Sequence, residues 1–195
     1  MKGPFGYGVA LHGPHCETHR MPAAFETLSF RQRAAAYVLR SRAGSGRIEV
    51  LVILHSDAPE AGVQVPGGGA LPHETIGEAA LREAHEETGA AGLVFEEVLG
   101  SVLLASLSDR GSRRLDTYSL LSTTEHRDAW DHVVTGDDGD HGMRFRCEFR
   151  PVASAGIDWG LDRHLGLAAR RFVSAYARRA GRTVSGASLG ASGEA

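Results

Sequence analysis

The sequence has little cysteine, no long apolar run and no excess of positive charge. Only Cys16 and Cys147 occur among 195 residues, which excludes the dense disulfide framework of a small secreted domain and indicates reduced thiols in the cytoplasm. Nowhere do about eighteen apolar residues follow one another, so no membrane-spanning helix is expected. The formal net charge of -3 disfavours stable binding to nucleic acid or to a membrane surface, which usually requires a basic face.

The length and composition predict one globular domain with unstructured ends. A chain of 195 residues of which 42% are hydrophobic can build one sizeable core but not two ordinary ones. Residues 1–22 are rich in Gly, Pro and His, and residues 181–195 are small and polar, so both segments are expected to be disordered. The folded domain is therefore predicted to span residues 23–180. Met21 is an alternative start, with the preceding residues as an upstream extension.

Five strands and two helices are predicted from the spacing of apolar residues. Runs of β-branched and apolar residues bounded by Gly and Ser predict strands at 34–40, 47–56, 93–107, 114–123 and 143–152. A helical period predicts a terminal helix from Gly160 to Ala180. Strands of mixed arrangement with one central and one terminal helix favour an α/β fold of the α+β kind, layered as an α/β/α sandwich.

A central helix is predicted from its capping residues. Thr75 followed three residues later by Glu78 forms a capping box, in which each residue satisfies a main-chain N–H of the other. Gly89 stands where a left-handed residue would end the helix. The helix is therefore predicted to span residues 76–88.

Three glutamates of that helix are predicted to lie on or beside its apolar face. At about 100° per residue, Glu83 and Glu87 fall on the apolar side and Glu86 at its margin. Partly buried like charges are costly unless a cation neutralises them. Oxygen ligands favour Mg²⁺ or Mn²⁺, and the absence of a nearby cysteine and of an HExxH motif disfavours zinc. Arg82 is expected to pair with one carboxylate, and the glycines at 67–69 allow close approach of a ligand.

The same segment resembles the Nudix box, the signature of the Nudix (MutT-like) hydrolases. The box reads Gly, five residues, Glu, seven residues, Arg-Glu, an apolar residue, any residue, Glu-Glu, any residue, Gly and an apolar residue. The matching positions are Gly68, Glu74, Arg82, Glu83, Ala84, Glu86, Glu87, Gly89 and Ala90. Every polar and glycine position fits, whereas the two apolar positions hold alanine, and His73 replaces a glycine often found before the first glutamate.

The resemblance implies a Nudix-type sandwich with a mixed sheet and a Mg²⁺-dependent hydrolase. Such an enzyme would cleave the diphosphate linkage of a nucleoside di- or triphosphate or of another nucleoside diphosphate derivative. By the box pattern, the ion is held by three carboxylates and one main-chain carbonyl, those of Glu83, Glu86, Glu87 and Gly67. Arg82 and Glu74 would orient this cluster. The catalytic base is Glu83, Glu86 or a downstream acid, a choice that the pattern leaves open.

Two alternatives to a catalytic role stay open for the central helix. A Nudix fold that keeps its box can serve as a non-catalytic nucleotide-sensing or regulatory module, and an acidic helix can simply be solvated. A small-molecule nucleotide is the expected partner. A homodimer is an open alternative to a monomer, because no segment identifies an interface.

Residues outside the box are weaker candidates for substrate binding. Trp130 can stack on a base, and Arg114 and Arg144 can hold phosphates, although each also suits an ordinary core or surface role. Asp128 or Asp131 lies where a further carboxylate ligand or base is expected. The remaining candidates are Arg110, Arg113 and Arg146, and near the N-terminus His12, His15, Cys16 and His19, for which metal binding competes with an unstructured leader.

Overall fold

The β-strands of the protein form one mixed sheet with a helix on each face. A computed structural model describes residues 29–42, 44–105, 112–136 and 139–187 of the chain. The elements within them are β1 (Ser29–Ser41), β2 (Ile48–His55), β3 (Val63–Gln64), β4 (Gly67–Gly69), α1 (Ile76–Thr88), β5 (Val94–Ala105), β6 (Ser112–Ser122), β7 (Ala129–Val133), β8 (Arg144–Pro151) and α2 (Leu165–Ala187).

The strand order is β5-β6-β1-β2-β8-β7, with β3 paired to β2 and β4 paired to β1. Strands β1 and β6 run parallel, whereas the other pairs are antiparallel. The predicted α/β/α sandwich with a mixed sheet is confirmed.

Strand β1 supplies side chains to two cores because successive residues of a strand face opposite sides of the sheet. The core under α1 includes Ala34, Ala36, Ala79, Ala80 and Ala84. The core under α2 includes Tyr37, Leu39, Tyr118, Leu165 and Phe172. Alanine on both sides of the first interface lets α1 approach β1 closely. This approach brings the glutamates of the helix to the main chain of β4.

Helix α1 begins and ends where its capping residues predict. The hydroxyl of Thr75 accepts a hydrogen bond from the N–H of Glu78, whose carboxylate accepts one from the N–H of Thr75. Gly89 has a φ of 58°, in the left-handed region, and its N–H donates to the carbonyl of His85. The helix predicted over residues 76–88 is confirmed.

Strands β3 and β4 lie between β1 and β2 at one end of the sheet. Val63 of β3 pairs with Leu54 of β2, and Gly67 of β4 pairs with Ala35 of β1. Strands β1 and β2 pair directly with each other at the other end of the sheet, away from β3 and β4. Neither β3 nor β4 was predicted, because a two-residue strand and three consecutive glycines carry no strand pattern.

Other boundaries differ from the prediction. Strand β1 starts at Ser29 rather than residue 34. The prediction began too late because four of the first five residues of the strand are polar. Strand β7 was not predicted, and α2 spans Leu165–Ala187 rather than 160–180, so the first part of the predicted tail is helical. The predicted leader at 1–22 lies outside the described residues. Among the helices described, none is long and apolar enough to cross a membrane.

A buried ion-pair network lies at the end of the sheet opposite β4. Arg40, only 7% exposed, pairs with Glu49 at 2.9 Å and also with Asp128. Its guanidinium donates to two main-chain carbonyls and lies 3.8 Å from the ring centroid of Phe149. The buried carboxylate of Glu49 therefore has a cationic partner that is itself held on several sides.

Replacement of Arg40 by alanine is expected to lower the free energy of unfolding by about 3–5 kcal/mol, because it removes the main partner of a buried charge. Arg42→Ala is the matched control, since Arg42 contacts the same two acids from an exposed position and should cost far less. Urea unfolding of both variants measures the difference. Equal losses of unfolding free energy in the two variants would contradict a larger contribution from the buried pair of Arg40 and Glu49.

Candidate active site

The three predicted glutamates of α1 lie along one pocket beside β4. The pocket has a volume of about 350 Å³. Its walls come from β4 and the residues after it, from α1, and from the loop between β7 and β8. Polar lining residues include Glu83, Glu86, Glu87, Asp140 and His141. The fold therefore gathers four carboxylates around one cavity.

The glycines of β4 leave room for two of these glutamates. The N–H of Gly67 donates to the carboxylate of Glu87 at 2.8 Å. A Cβ atom on Gly68 would lie 2.4 Å from the carboxylate oxygens of Glu83, so any larger residue would displace that side chain. Glu83 is 4% exposed and Glu87 5% exposed. The main chain of β4 thus sets the depth at which both acids are buried.

The carbonyl of Gly67, predicted to complete the shell of an ion, accepts a hydrogen bond from Arg33 at 2.6 Å. A carbonyl oxygen has two lone pairs, so this bond occupies one of them and the predicted role of Gly67 stays a prediction. Sequence reasoning missed Arg33, which stands in a polar run before the first predicted strand. The structure extends β1 through that run and brings the guanidinium beside the acidic pocket.

Arg82 contacts three of the acids predicted to form the site. Its Nε donates to Glu74 at 2.7 Å, and its Nη1 lies 2.9 Å from Glu83 and 3.0 Å from Glu86. Its Nη2 donates to the carbonyl of Gly69 at 2.8 Å. One guanidinium fixes several carboxylates in this way but neutralises only a single charge. The pocket therefore keeps an excess of negative charge.

Burial raises the pKa of Glu87 to about 8. The hydrogen bond from Gly67 and the charge of Arg33 oppose this rise, whereas the charges of Glu83 and Asp140 add to it. A carboxyl group with such a pKa is mostly protonated at neutral pH unless a cation joins it. The electrostatics of the pocket therefore favour a positive ion.

The pocket carboxylates do not already form a metal cluster. Within residues 29–187, apart from the undescribed gaps, no three acidic, histidine or cysteine side chains are arranged to hold a metal ion. Glu83 and Glu86 both lie against the guanidinium of Arg82. Their side chains would have to rotate to place their oxygens on a common ion.

The loop between β7 and β8 forms the wall opposite β4. The N–H of Thr135 donates to the carbonyl of Glu86 at 3.0 Å, and a Cβ atom on Gly136 would lie 2.8 Å from the carboxylate of Glu86. Asp140 and His141 reach the pocket from the same loop. Sequence reasoning missed Asp140, because its acidic surroundings are typical of a solvated loop.

The two downstream acids named from the sequence lie elsewhere. Asp128 belongs to the ion-pair network around Arg40. Asp131 is exposed on edge strand β7 and pairs with Arg146 at 3.2 Å. Neither residue lines the acidic pocket. The downstream loop reaches the pocket through a different acid, Asp140.

The predicted phosphate-binding arginines do not line the pocket either. Arg114 pairs with the buried Asp116 on β6 at 2.7 Å. Arg144 is exposed at the start of β8, opposite Val133 of β7. Arg113 lies on β6 in register with Phe30. The other candidates, which lie outside the described residues, are Arg110, His12, His15, Cys16 and His19.

Trp130 lies in the core under α1 rather than in the pocket. It is 8% exposed, and its indole N–H donates to the carbonyl of Thr88 at 2.7 Å. Its ring packs near Phe149, and the guanidinium of Arg127 lies 4.3 Å from its centroid. The predicted role of Trp130 in stacking on a base is not supported, because the ring is buried and the guanidinium of Arg127 lies over it.

Comparison with known proteins identifies relatives by sequence. The sequence pattern of the NUDIX domain matches residues 30–151. Diphosphoinositol polyphosphate phosphohydrolase 3-beta of Bos taurus and of Homo sapiens is 35% identical over 112 residues, which cover 57% of this chain and 62% of that protein. Diphosphoinositol polyphosphate phosphohydrolase 2 of Mus musculus is 34% identical over 111 residues, 56% of either chain. The chain thus matches less than two thirds of the length of these relatives.

Solved structures share the fold at lower identity. A C. elegans Ap4A hydrolase in a binary complex has a TM-score of 0.54 at 20% identity and covers 74% of this chain and 98% of that chain. A Nudix hydrolase from M. smegmatis has a TM-score of 0.51 at 18% identity, with 74% and 86% covered. The domain match, which takes in more than half of the chain and includes the box at 68–90, shows that the protein belongs to the Nudix family.

Proposed function

We propose that the protein is a Mg²⁺-dependent hydrolase that cleaves a diphosphate linkage in a nucleoside di- or triphosphate or in another nucleoside diphosphate derivative. The observation that carries this proposal is the convergence of four carboxylates on one pocket beside a strand of glycines. Arg82 offsets only part of their charge. Relatives named as phosphohydrolases, at 35% identity, support the same class of reaction.

The donor chemistry of the pocket fits a hard divalent ion. Carboxylate oxygens suit Mg²⁺ or Mn²⁺, and the raised pKa of Glu87 indicates that positive charge is favourable there. Glu83, Glu86 and Glu87 would hold the ion, and the second lone pair of the Gly67 carbonyl is available to it. When bound, such an ion neutralises phosphoryl oxygens and lowers the pKa of a bound water.

The residues of the chain itself would supply positioning and proton transfer. Arg82 and Glu74 hold the acids of α1 at fixed positions. Arg33 places a positive charge beside Gly67, on the strand along which phosphate groups would lie. The acid that accepts the proton of the attacking water is Glu83, Glu86 or Asp140, and Asp140 is the downstream candidate with direct access to the pocket.

The names of the relatives also bring diphosphorylated inositol phosphates into consideration as substrates. Hydrolysis is therefore to be measured with Mg²⁺ on nucleoside di- and triphosphates, dinucleoside polyphosphates, nucleotide sugars, capped RNA and a diphosphoinositol polyphosphate. Turnover of any of them supports a hydrolase. Binding of nucleotide without turnover would instead support the non-catalytic sensing module.

Glu86→Gln and Glu87→Gln are each expected to lower kcat by about 100-fold or more, because each removes ligand charge from a centre that supplies several kcal/mol of charge stabilisation. Circular dichroism should show an unchanged fold, since the volume hardly changes. Glu97→Gln, at a more exposed position on β5 beside Arg171, is the control and should keep full turnover. Full activity in both α1 variants would refute the assignment.

Asp140→Asn is expected to lower kcat by about 100-fold if its carboxylate accepts the proton of the attacking water. Asp131→Asn is its matched control, because it removes the same charge from the exposed edge strand nearby. Turnover at saturating substrate and Mg²⁺ separates the two variants. An active Asp140→Asn protein would leave Glu83 or Glu86 as the base.

The stability of the metal-free protein is expected to fall as pH rises from about 4.5 to about 8. Glu87 has a pKa of about 8 in the folded state against 4.5 as its ordinary value, so over this range the folded state binds more protons than the unfolded state. Glu87→Gln should flatten this pH dependence. Urea unfolding with a chelator present measures it, and identical slopes for both proteins would contradict the raised pKa.

A further inference from the structure

Trp159 combines an exposed ring with a strained backbone. Its side chain is 71% exposed. Its φ is 59°, and in the described part of the chain it is the single non-glycine residue with a positive φ. A bulky residue holds such a conformation only when its surroundings impose it, and residues of this kind cluster at functional sites. Trp159 also lies beyond residues 30–151, to which the domain match extends.

Hydrogen bonds made by Trp159 and by the residue before it hold Trp159 in place. Its indole N–H donates to the carbonyl of Ala61 at 2.7 Å. The preceding residue, Asp158, donates its N–H to the carbonyl of Val63 and accepts from the N–H of Val63, both at 2.9 Å. A Cβ atom on Gly62 would lie 2.7 Å from the carboxylate of Asp158. The ring is therefore anchored at its N–H edge, while most of its surface is open to solvent.

The register of the sheet places this anchor at the end where the acidic pocket lies. Val63 is paired with Leu54 and Gly67 with Ala35, two positions at the same level of β2 and β1. Asp158, next to Trp159, is hydrogen-bonded to Val63, so the loop that carries Trp159 lies at the level of Gly67. Both strands lie between β1 and β2, so Val63 and Gly67 are a few strand spacings apart at most, each about 4.8 Å.

The space beside Gly69 is open. A Cβ atom on Gly69 would meet no atom within 4 Å, whereas one on Gly68 would meet the carboxylate of Glu83. Since neighbouring residues of a strand face opposite sides, the open space lies across β4 from Glu83. Arg33, the register partner of Gly69, lies on the same side. A substrate with its phosphates at the glutamates thus has room to extend past Gly69 toward the loop that carries Trp159.

The acidic pocket itself offers no large aromatic surface. Its described lining contains no Phe, Tyr or Trp, and the ring of Trp130 is buried. A nucleobase bound near this pocket would need a flat apolar partner elsewhere, and the indole face is a strong stacking surface for a base.

We propose that Trp159 is the stacking platform for the nucleobase of a substrate whose diphosphate occupies the acidic pocket. The inference rests on the proposed hydrolase function and narrows its substrate to a base-containing compound. The stacking interaction selects for the base and takes no part in the chemistry. Trp159 should therefore influence nucleotide affinity and KM more than kcat.

Two substitutions of Trp159 distinguish the effect of the aromatic ring from the effect of the backbone conformation. Trp159→Gly removes the ring and tolerates a φ of 59°. It should weaken binding of ADP, measured by calorimetry as its non-hydrolysable α,β-methylene analogue with Mg²⁺, by about 5- to 150-fold, the range expected when a stacked base loses its aromatic partner. Trp159→Phe keeps an aromatic face without the indole N–H and should stay within about threefold of the native affinity. Tyr176→Ala, another exposed ring, on α2, is the control and should bind ADP normally.

A second ligand tests whether the effect belongs to the base. Inorganic pyrophosphate lacks a base, so Trp159→Gly should leave its affinity unchanged. Unaltered ADP binding in Trp159→Gly, or an equal loss for ADP and pyrophosphate, would overturn the proposal. Tryptophan fluorescence gives an independent reading, because Trp130 and Trp159 are the two tryptophans of the chain: ADP should quench the native protein and not Trp159→Phe.

The hydrolase proposal can fail separately. If no substrate is turned over but Trp159→Gly still loses ADP and not pyrophosphate, the platform stands and the enzyme assignment falls. If nucleotides are hydrolysed with the same KM by native protein and Trp159→Gly, the enzyme assignment stands and the platform is refuted.

Discussion

The close approach of helix α1 to strand β4 determines the geometry of the candidate site. It depends on small residues on both sides, alanines in the core under α1 and glycines in β4. A side chain at Gly68 would occupy the space of the Glu83 carboxylate, and the N–H of Gly67 would lose its bond to Glu87 if the helix moved outward. The glutamates are therefore deep and close together because the main chain, not a side chain, forms the facing wall.

Buried acids at the two ends of the sheet are stabilised in different ways. Glu49, 3% exposed, is paired with two arginines and belongs to a network that is complete without any ligand. Glu87, 5% exposed, has a main-chain N–H and the more distant charge of Arg33, and burial raises its pKa to about 8. The first arrangement stabilises the fold. The second leaves unfavourable electrostatics that a cation would relieve, which is the pattern expected of a functional site.

The central helix was predictable because its determinants are local. Thr75, Glu78 and Gly89 fix both ends of α1 within a few residues of sequence, and the box residues follow from their spacing alone. The contributions of Arg33 and Asp140 were not predictable in this way. Each reaches the pocket from a different element, through the pairing of β1 with β4 and through the loop between β7 and β8, and a polar residue before a strand or in an acidic loop has no periodic signal.

The two tryptophans show why residues that bind the substrate are harder to predict from the sequence than residues that take part in the reaction. Trp130 stands in a stretch rich in charge, yet the pairing of β7 with β8 turns it into the core. Trp159 follows an ordinary loop, yet the insertion of β3 and β4 between β1 and β2 brings Val63, which is hydrogen-bonded to the residue before Trp159, level with Gly67. Alternation along β4 then directs Gly68 toward the acids and Gly69 toward open space. Adjacent glycines of β4 thus face opposite sides of the strand. Gly68 faces the acids proposed to act in bond cleavage, and Gly69 faces the space proposed for the part of the substrate that is recognised.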